Sequence, residues 1–373
     1  MGGVTRTAAV PTVVLLVAGA LASCGLSSQA GPQDGPTTSA VAAAKDTPPL
    51  ADVTPLTDVR DWDGEVNAVA DAPIDPVAED PEPELPTTVT DAQGTEVTVE
   101  NASRILALDV YGTLSRTVFE LGLGDSLVGR DVSTEFDEAT GLPLVTQNGH
   151  DLNAEAILGL DPTVIITDTS LGPWDVVLQM RDAGIPVVVV DSDRSLDNVG
   201  ELIHQVADPL GVPAAGDALT QRTQQEIDRV TAQIAKVAPA DSGDKLRMVF
   251  LYVRGQSGIY YMFGEGSGAD SLIDAIGGYD VADEIGWNGM KPLTDEGLVA
   301  AQPDLVLMMS AGLESAGGVD GLLERLPALA NTPAGQHRRF VTMEDSQILG
   351  FGPITASVLN ALAVAAYAPE DVS

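Results

Sequence analysis

The sequence predicts a mixed α/β protein built from two similar lobes joined by one long α-helix. Three observations predict it. Short apolar runs rich in β-branched residues alternate with amphipathic stretches along both halves of the chain, the pattern of parallel α/β architecture. Between the halves, residues 214–237 (AAGDALTQRTQQEIDRVTAQIAKV) carry one uninterrupted helical pattern, polar on most of its circumference, with no strand before the break at Pro239. The halves also echo each other. Glu155-Ala156-Ile157-Leu158-Gly159-Leu160-Asp161-Pro162 corresponds to Glu296-Gly297-Leu298-Val299-Ala300-Ala301-Gln302-Pro303, and Arg104-Ile105-Leu106-Ala107-Leu108 corresponds in the same order to Arg247-Met248-Val249-Phe250-Leu251. Two such pairs in one order point to a duplicated lobe.

The elements follow in chain order. Two β-branched runs flank a turn signal at residues 91–94, so residues 87–99 read as a hairpin. Residues 104–109 form a short buried strand, and 114–121 a helix ending at Gly122. Pro162 stops a helix and opens the strand Val164-Ile165-Ile166; residues 177–183 are amphipathic, and 185–191 form a strand buried on both faces. After the long helix, a second α/β stretch runs from Leu246 to the end of the chain.

Composition excludes several functions. The chain of 373 residues has 18 Lys and Arg against 55 Asp and Glu, a formal net charge of -37. So acidic a surface repels phosphate backbones, which argues against a nucleic-acid partner. Lysine occurs only at positions 45, 236, 245 and 291, so there is no polybasic membrane patch. The lone cysteine, Cys24, rules out an intramolecular disulfide and any multi-cysteine metal site. His150, His204 and His337 never fall at H-E-x-x-H spacing, and there is no G-x-S-x-G elbow or P-loop, so a binding protein is expected in place of an enzyme.

The N-terminus reads as an address and a tether. Arg6 precedes an apolar run at residues 13–21, too short to span a bilayer and ending in small residues, as an export signal does. The run closes in Leu21-Ala22-Ser23-Cys24-Gly25, which resembles the lipobox of bacterial lipoproteins. That resemblance implies cleavage before Cys24 and acyl chains that hold the protein at the outer face of the cell membrane. Residues 24–86 turn to Ala, Pro, Ser, Thr and acidic residues without helical or strand period, and are expected to form a solvated, extended spacer. The expected organisation is therefore a signal at 1–23, the lipidated cysteine and spacer at 24–86, a first lobe at 87–213, the joining helix at 214–238 and a second lobe at 239–373.

Export, anchor, two α/β lobes and a single joining helix together resemble the substrate-binding lipoproteins of iron-siderophore, cobalamin and haem ABC importers, over roughly residues 87 to 368. The resemblance implies a class III periplasmic-binding-protein fold, with ligand held between the lobes near the carboxyl ends of the strands. It also implies a monomer working with a membrane permease and its ATPase. Glu155 and Glu296 match the family's two docking glutamates, one per lobe, which pair with arginines of the permease.

Within that family the chain is most similar to the haem-binding lipoproteins of actinobacterial haem uptake, the HmuT type, through three residues. His150 stands in the polar loop Gln147-Asn148-Gly149-His150-Asp151; Tyr252 and Arg254 stand in Phe250-Leu251-Tyr252-Val253-Arg254. Strand residues two apart share a face, so Tyr252 and Arg254 point the same way. A guanidinium beside a phenol favours the phenolate that ferric iron prefers, and neutral imidazole from the other lobe supplies a sixth ligand. The implied ligand is haem, Fe(III) protoporphyrin, as cargo, with His150 and Tyr252 as axial ligands; the alternative is a ferric siderophore or cobalamin. The glycine-rich loop 264–270 is a candidate to receive a haem propionate. Trp287, Met290, Tyr111 and Phe351 are weaker candidates for the porphyrin wall, whereas His204 and His337 read as structural or surface residues.

Overall fold

The computed structural model describes residues 47–372; the export signal and Cys24 lie outside them. Its strands are β1 (Glu65–Asn67), β2 (Thr87–Thr90), β3 (Glu96–Val99), β4 (Ile105–Leu108), β5 (Thr146–Gln147), β6 (Asp151–Leu152), β7 (Val164–Thr167) and β8 (Val187–Val189), followed by β9 (Arg247–Arg254), β10 (Ile259–Phe263), β11 (Tyr279–Asp280), β12 (Met290–Pro292), β13 (Leu305–Met309) and β14 (Phe340–Met343). In the first lobe β4, β7 and β8 form a parallel sheet in that order. In the second lobe β9, β13 and β14 repeat the same parallel core in the same order. The duplication read from two sequence echoes is thus a duplication of topology. The second sheet is larger because β10 and β12 extend it antiparallel beyond β9, and β11 pairs with the start of β9.

The central strands are buried on both faces, as their continuous apolar runs require. Alternate residues divide between cores. On β9, Val249, Leu251 and Val253 face a core of the second lobe, whereas Met248 and Phe250 face a cluster that continues into the first lobe and along the joining helix. The hairpin forms as expected, with Asp91 Oδ1 accepting from the backbone of Gln93 and Thr95.

Five helices position the site: α1 (Thr113–Glu120), α2 (Ala154–Gly159), α3 (Trp174–Asp182), α4 (Val199–Ala207) and α5 (Pro213–Val237). The last is the joining helix, and its proline stands in the first turn, where a missing N–H costs nothing. Leu219, Thr223, Ile227, Val230 and Ile234 make its buried face at helical spacing. It rests on α4 of the first lobe and on the helix Thr355–Tyr367 of the second.

The stretch expected as a solvated spacer departs from that expectation between Thr47 and Pro86. β1 joins the edge of the second sheet, parallel to β14, and buries Val66. Upstream, Leu50 and Val59 are buried, the Leu50 N–H donates to Asn360, and Arg60 reaches Asp304 and the carbonyls of Asp244 and Lys245. Downstream the segment crosses to the first lobe, where Arg116 donates to the carbonyls of Ala72 and Pro73 and the Asp75 N–H donates to Glu120. The segment is therefore a strap across both lobes. No period announces it, because each buried side chain fills its own site along an otherwise polar, extended backbone.

Candidate ligand cleft

Tyr252 and Arg254 close β9 on the face shared with Phe250. The opposing strand matches them in register: Tyr261 lies across from Tyr252 and Phe263 across from Phe250. Tyr252 stacks on Phe263 at 6.2 Å between centroids and meets Tyr261 edge-on at 6.5 Å. The guanidinium carbon of Arg254 lies 4.6 Å from the centroid of the Tyr252 ring. Its Nη2 donates to Asp345 Oδ2 at 3.0 Å and its Nη1 to the Val253 carbonyl at 3.1 Å. The phenol thus stands in an aromatic cluster with a cation against its ring.

His150 is exposed and belongs to the other lobe, at the tip of the β5–β6 hairpin. Asn148 and Gly149 take left-handed backbone (φ 50° and 92°), the conformation an Asn-Gly turn supplies most readily. Partial burial lowers the imidazole pKa; the charge of Arg254 lowers it further, while Asp345 and Asp151 oppose. The neutral form, which binds metal, is thereby favoured. His150 therefore feels Arg254 and Asp345 from the opposite lobe.

A cavity of about 310 Å3 opens between the lobes. Tyr111, Ser133 and Phe136 line it from the first lobe, and Glu344, Gln347 and Ile354 from the second. None of His150, Tyr252 and Arg254 lines it; Asp345, the partner of Arg254, stands in the chain between two of its lining residues, Glu344 and Ser346. Burial raises the Glu344 pKa, and the charges of Asp345, Glu135 and Glu314 raise it further. Glu135 and Glu344 give this cavity acidic groups, and Arg116 lines it as well.

The first-lobe strands end in carboxylates that sequence reading passed over. Asp109 follows β4, Asp168 follows β7, and both are fully buried with Asp131 and Arg194. Arg194 Nη2 lies 2.7 Å from Asp168 Oδ2 and 3.8 Å from Asp109 Oδ2, with its guanidinium carbon 5.3 Å from the Tyr111 ring centroid. Burial, then the charges of Asp168 and Asp131, push the Asp109 carboxyl up to about 8; Arg194 only partly offsets them. Asp131 is pushed up to about 6 by burial, against hydrogen bonds from the backbone of Asp109, Ser133 and Thr134. Through Arg194 this cluster packs against Tyr111, which lines the cavity between the lobes. An aspartate directly after each strand was its sequence signal.

Other candidates fare differently. The N–H groups of Gly264, Glu265, Gly266, Ser267 and Ala269 all donate within the protein, so the glycine-rich loop holds few free donors for a propionate. Trp287 packs in the second-lobe core on the far face of β9 and donates its indole N–H to the Met262 carbonyl; Phe351 is buried. Trp287 thus lies on the opposite face of β9 from Tyr252, whereas Phe351 is a buried member of the cluster that Tyr252 packs against. Met290 is 55% exposed. His204 sits 3.6 Å from both Asp208 and Asp217, and His337 Nδ1 2.6 Å from Asp63, consistent with structural or surface roles.

Glu155 and Glu296 occupy equivalent places. Each is exposed in the first turn of a short helix, α2 and Asp295–Ala301, whose N-cap side chain, Asn153 or Thr294, accepts from the third helical residue. The residues before the matching prolines, Asp161 and Gln302, both take left-handed backbone (φ 46° and 43°). The arginine opening the lobe's first core strand donates to carbonyls at the helix end: Arg104 to Leu160 and Asp161, Arg247 to Ala301 and Gln302. Both helices are thus held at both ends by the same devices, leaving the glutamates free at the surface.

The chain matches the crystal structure of the heme binding protein HmuT with a TM-score of 0.79 and 40% identity, over 83% of this chain and 99% of that one. Further structures of that protein replace an arginine, a tyrosine or a histidine by alanine. An uncharacterized ABC transporter substrate-binding lipoprotein, YvrC of Bacillus subtilis, is 24% identical over 287 residues, 76% of this chain and 86% of its own. A cobalamin-binding protein of Halobacterium salinarum is 28% identical over 233 residues, 60% of this chain and 58% of its own. The sequence model of the periplasmic binding proteins matches residues 110–346, which spans both lobes and the joining helix. The chain belongs to the periplasmic binding protein family, and it is a binding protein, not an enzyme.

Proposed function

We propose that this chain is the extracytoplasmic, lipid-anchored haem-binding component of an ABC importer, acting as a monomer. Ferric haem is captured between the lobes by Tyr252 and His150 as axial ligands and delivered to the permease, which docks on Glu155 and Glu296 and is driven by its ATPase. The observation that carries this reading is the end of β9. There a phenol lies under a guanidinium at 4.6 Å, and the His150 imidazole on the other lobe has its pKa lowered by partial burial and by that same guanidinium. Phenolate and neutral imidazole are both haem-iron ligands, and one from each lobe makes the iron a bridge across the cleft.

The likeness to HmuT supports haem as cargo, and the alanine variants of that protein fall on the same three residue types, tyrosine and arginine two positions apart as here. The carboxylates of Glu135, Glu344 and Asp345 oppose the two haem propionates, and Arg254 beside Tyr252 is a cation that offsets them. Parallel titrations with hemin, cyanocobalamin and a ferric hydroxamate test the cargo. The reading expects a saturable Soret band with one hemin equivalent and weak binding of the others. Saturable cobalamin or hydroxamate binding without a hemin band would replace haem by that ligand.

A further inference from the structure

The Arg254 guanidinium meets a carboxylate from another strand end, Asp345. Arginine is rich in rotamers, so a guanidinium stays on one ring face only if something ties it there. Here two ties exist. Nη1 donates to the Val253 carbonyl of its own strand, and Nη2 donates at 3.0 Å to Asp345, 91 residues further along the chain. Asp345 is itself fixed: its other oxygen accepts the Ala311 N–H at 3.3 Å, at the start of the helix Ser310–Ala316 that follows β13. One carboxylate therefore ties together the ends of three adjacent strands, β14, β13 and β9.

Both partners are about one-third exposed (31% and 30%), and an ion pair so exposed contributes little to folding. Its effect is geometric. It lays the guanidinium against the Tyr252 ring while using one of five N–H donors, and Val253 takes a second. Three donors are left for a phenolate or a propionate.

We propose that Asp345 is a positioning residue of the ligand site, acting on Tyr252 through Arg254 by holding the guanidinium over the phenol ring. This rests on the reading of Tyr252 as a haem ligand, so its test has one arm with haem and one without. In the haem-free full-length chain, purified in detergent, the Arg254 Nε–H resonance is expected to be displaced by the Tyr252 ring current. Asp345→Ala should return it to the position of a free arginine and Asp345→Glu should largely keep it. With haem, release to excess apomyoglobin should be about tenfold faster in Asp345→Ala, the scale of one charge-assisted hydrogen bond. Asp345→Ala added to Arg254→Ala should change release far less than it does in the parent, because the carboxylate acts chiefly through the guanidinium and its direct charge on His150 is the smaller effect.

An Arg254 resonance unmoved by Asp345→Ala overturns the proposal. So does an Asp345→Ala effect that persists at full size in the Arg254→Ala background, which would mark Asp345 as acting on haem by its own charge. If the parent chain binds no hemin, the haem reading of the site fails, and the resonance arm still decides whether Asp345 places Arg254.

Discussion

Leu50 belongs to the stretch whose composition reads as a solvated spacer, yet it is 3% exposed against α5 and the helix Thr355–Tyr367. If the strap is an integral part of the fold, truncating this one side chain must behave as a core mutation. Leu50→Ala removes a buried isobutyl group and leaves a cavity, which costs about 3 kcal/mol. A chain of this length gains roughly 0.7 kcal/mol/K of entropy on melting, so Tm should fall by about 4 °C. The control is Glu82→Ala, at an exposed position of the same strap, which should leave Tm within about 1 °C. Differential scanning calorimetry gives the shift, and limited proteolysis reports whether cleavage in the strap precedes global melting. A Leu50→Ala protein that melts with the parent, in a chain whose residues up to Pro86 are trimmed without loss of Tm, would refute the integration of the strap.

Two further predictions concern the cluster under the cleft and the docking helices. Asp109 has a folded pKa raised to about 8, above its unfolded value near 3.9, so folding takes up a proton between those limits. The group therefore favours the folded state most at low pH, and this contribution is lost as pH rises towards 8, with a limiting slope of about 1.4 kcal/mol per unit. Asp109→Asn abolishes that loss, so its Tm relative to the parent should climb from pH 5 to pH 8 and then level; parallel curves would show that the carboxyl is ionised throughout. Glu155→Arg and Glu296→Arg should each weaken, and together abolish, stimulation of the reconstituted permease and ATPase, with the hemin spectrum unchanged. Full stimulation by the doubly reversed protein would remove both glutamates from the docking site.

Much of this architecture was legible in the sequence. Ile105–Leu108, Val164–Thr167 and Val187–Val189 are short apolar runs between turn residues, and α5 has a regular apolar spacing, so each element announced itself locally. The glutamate-to-proline echo located the two matching helices, and the structure adds equivalent caps and equivalent arginines to both. The helix expected at residues 177–183 starts three residues earlier, at Trp174, because Pro173 fixes its N-cap. What stayed hidden depends on distance along the chain. Asp345 meets Arg254 across 91 residues, and Asp131 meets the Asp109 backbone across 22, with no spacing rule to announce either. β1 has a single buried residue, too little to carry a period. The loop 264–270 had the composition of an anion cradle, but its amides are spent on its own turns and on the carbonyls of Trp287 and Gly289.

The most direct test of the account is the ferric-haem absorption and electron paramagnetic resonance of the parent, Tyr252→Phe and His150→Ala. Tyr252→Phe removes only the phenol oxygen and keeps the ring that Arg254 and Phe263 stack against, so the fold of the cleft should survive. The account predicts a phenolate-to-iron charge-transfer band in the parent, its loss in Tyr252→Phe, and its retention with a changed spin state in His150→Ala. A Tyr252→Phe protein that binds hemin with the parent's spectrum would contradict phenolate ligation and with it the bridge across the cleft.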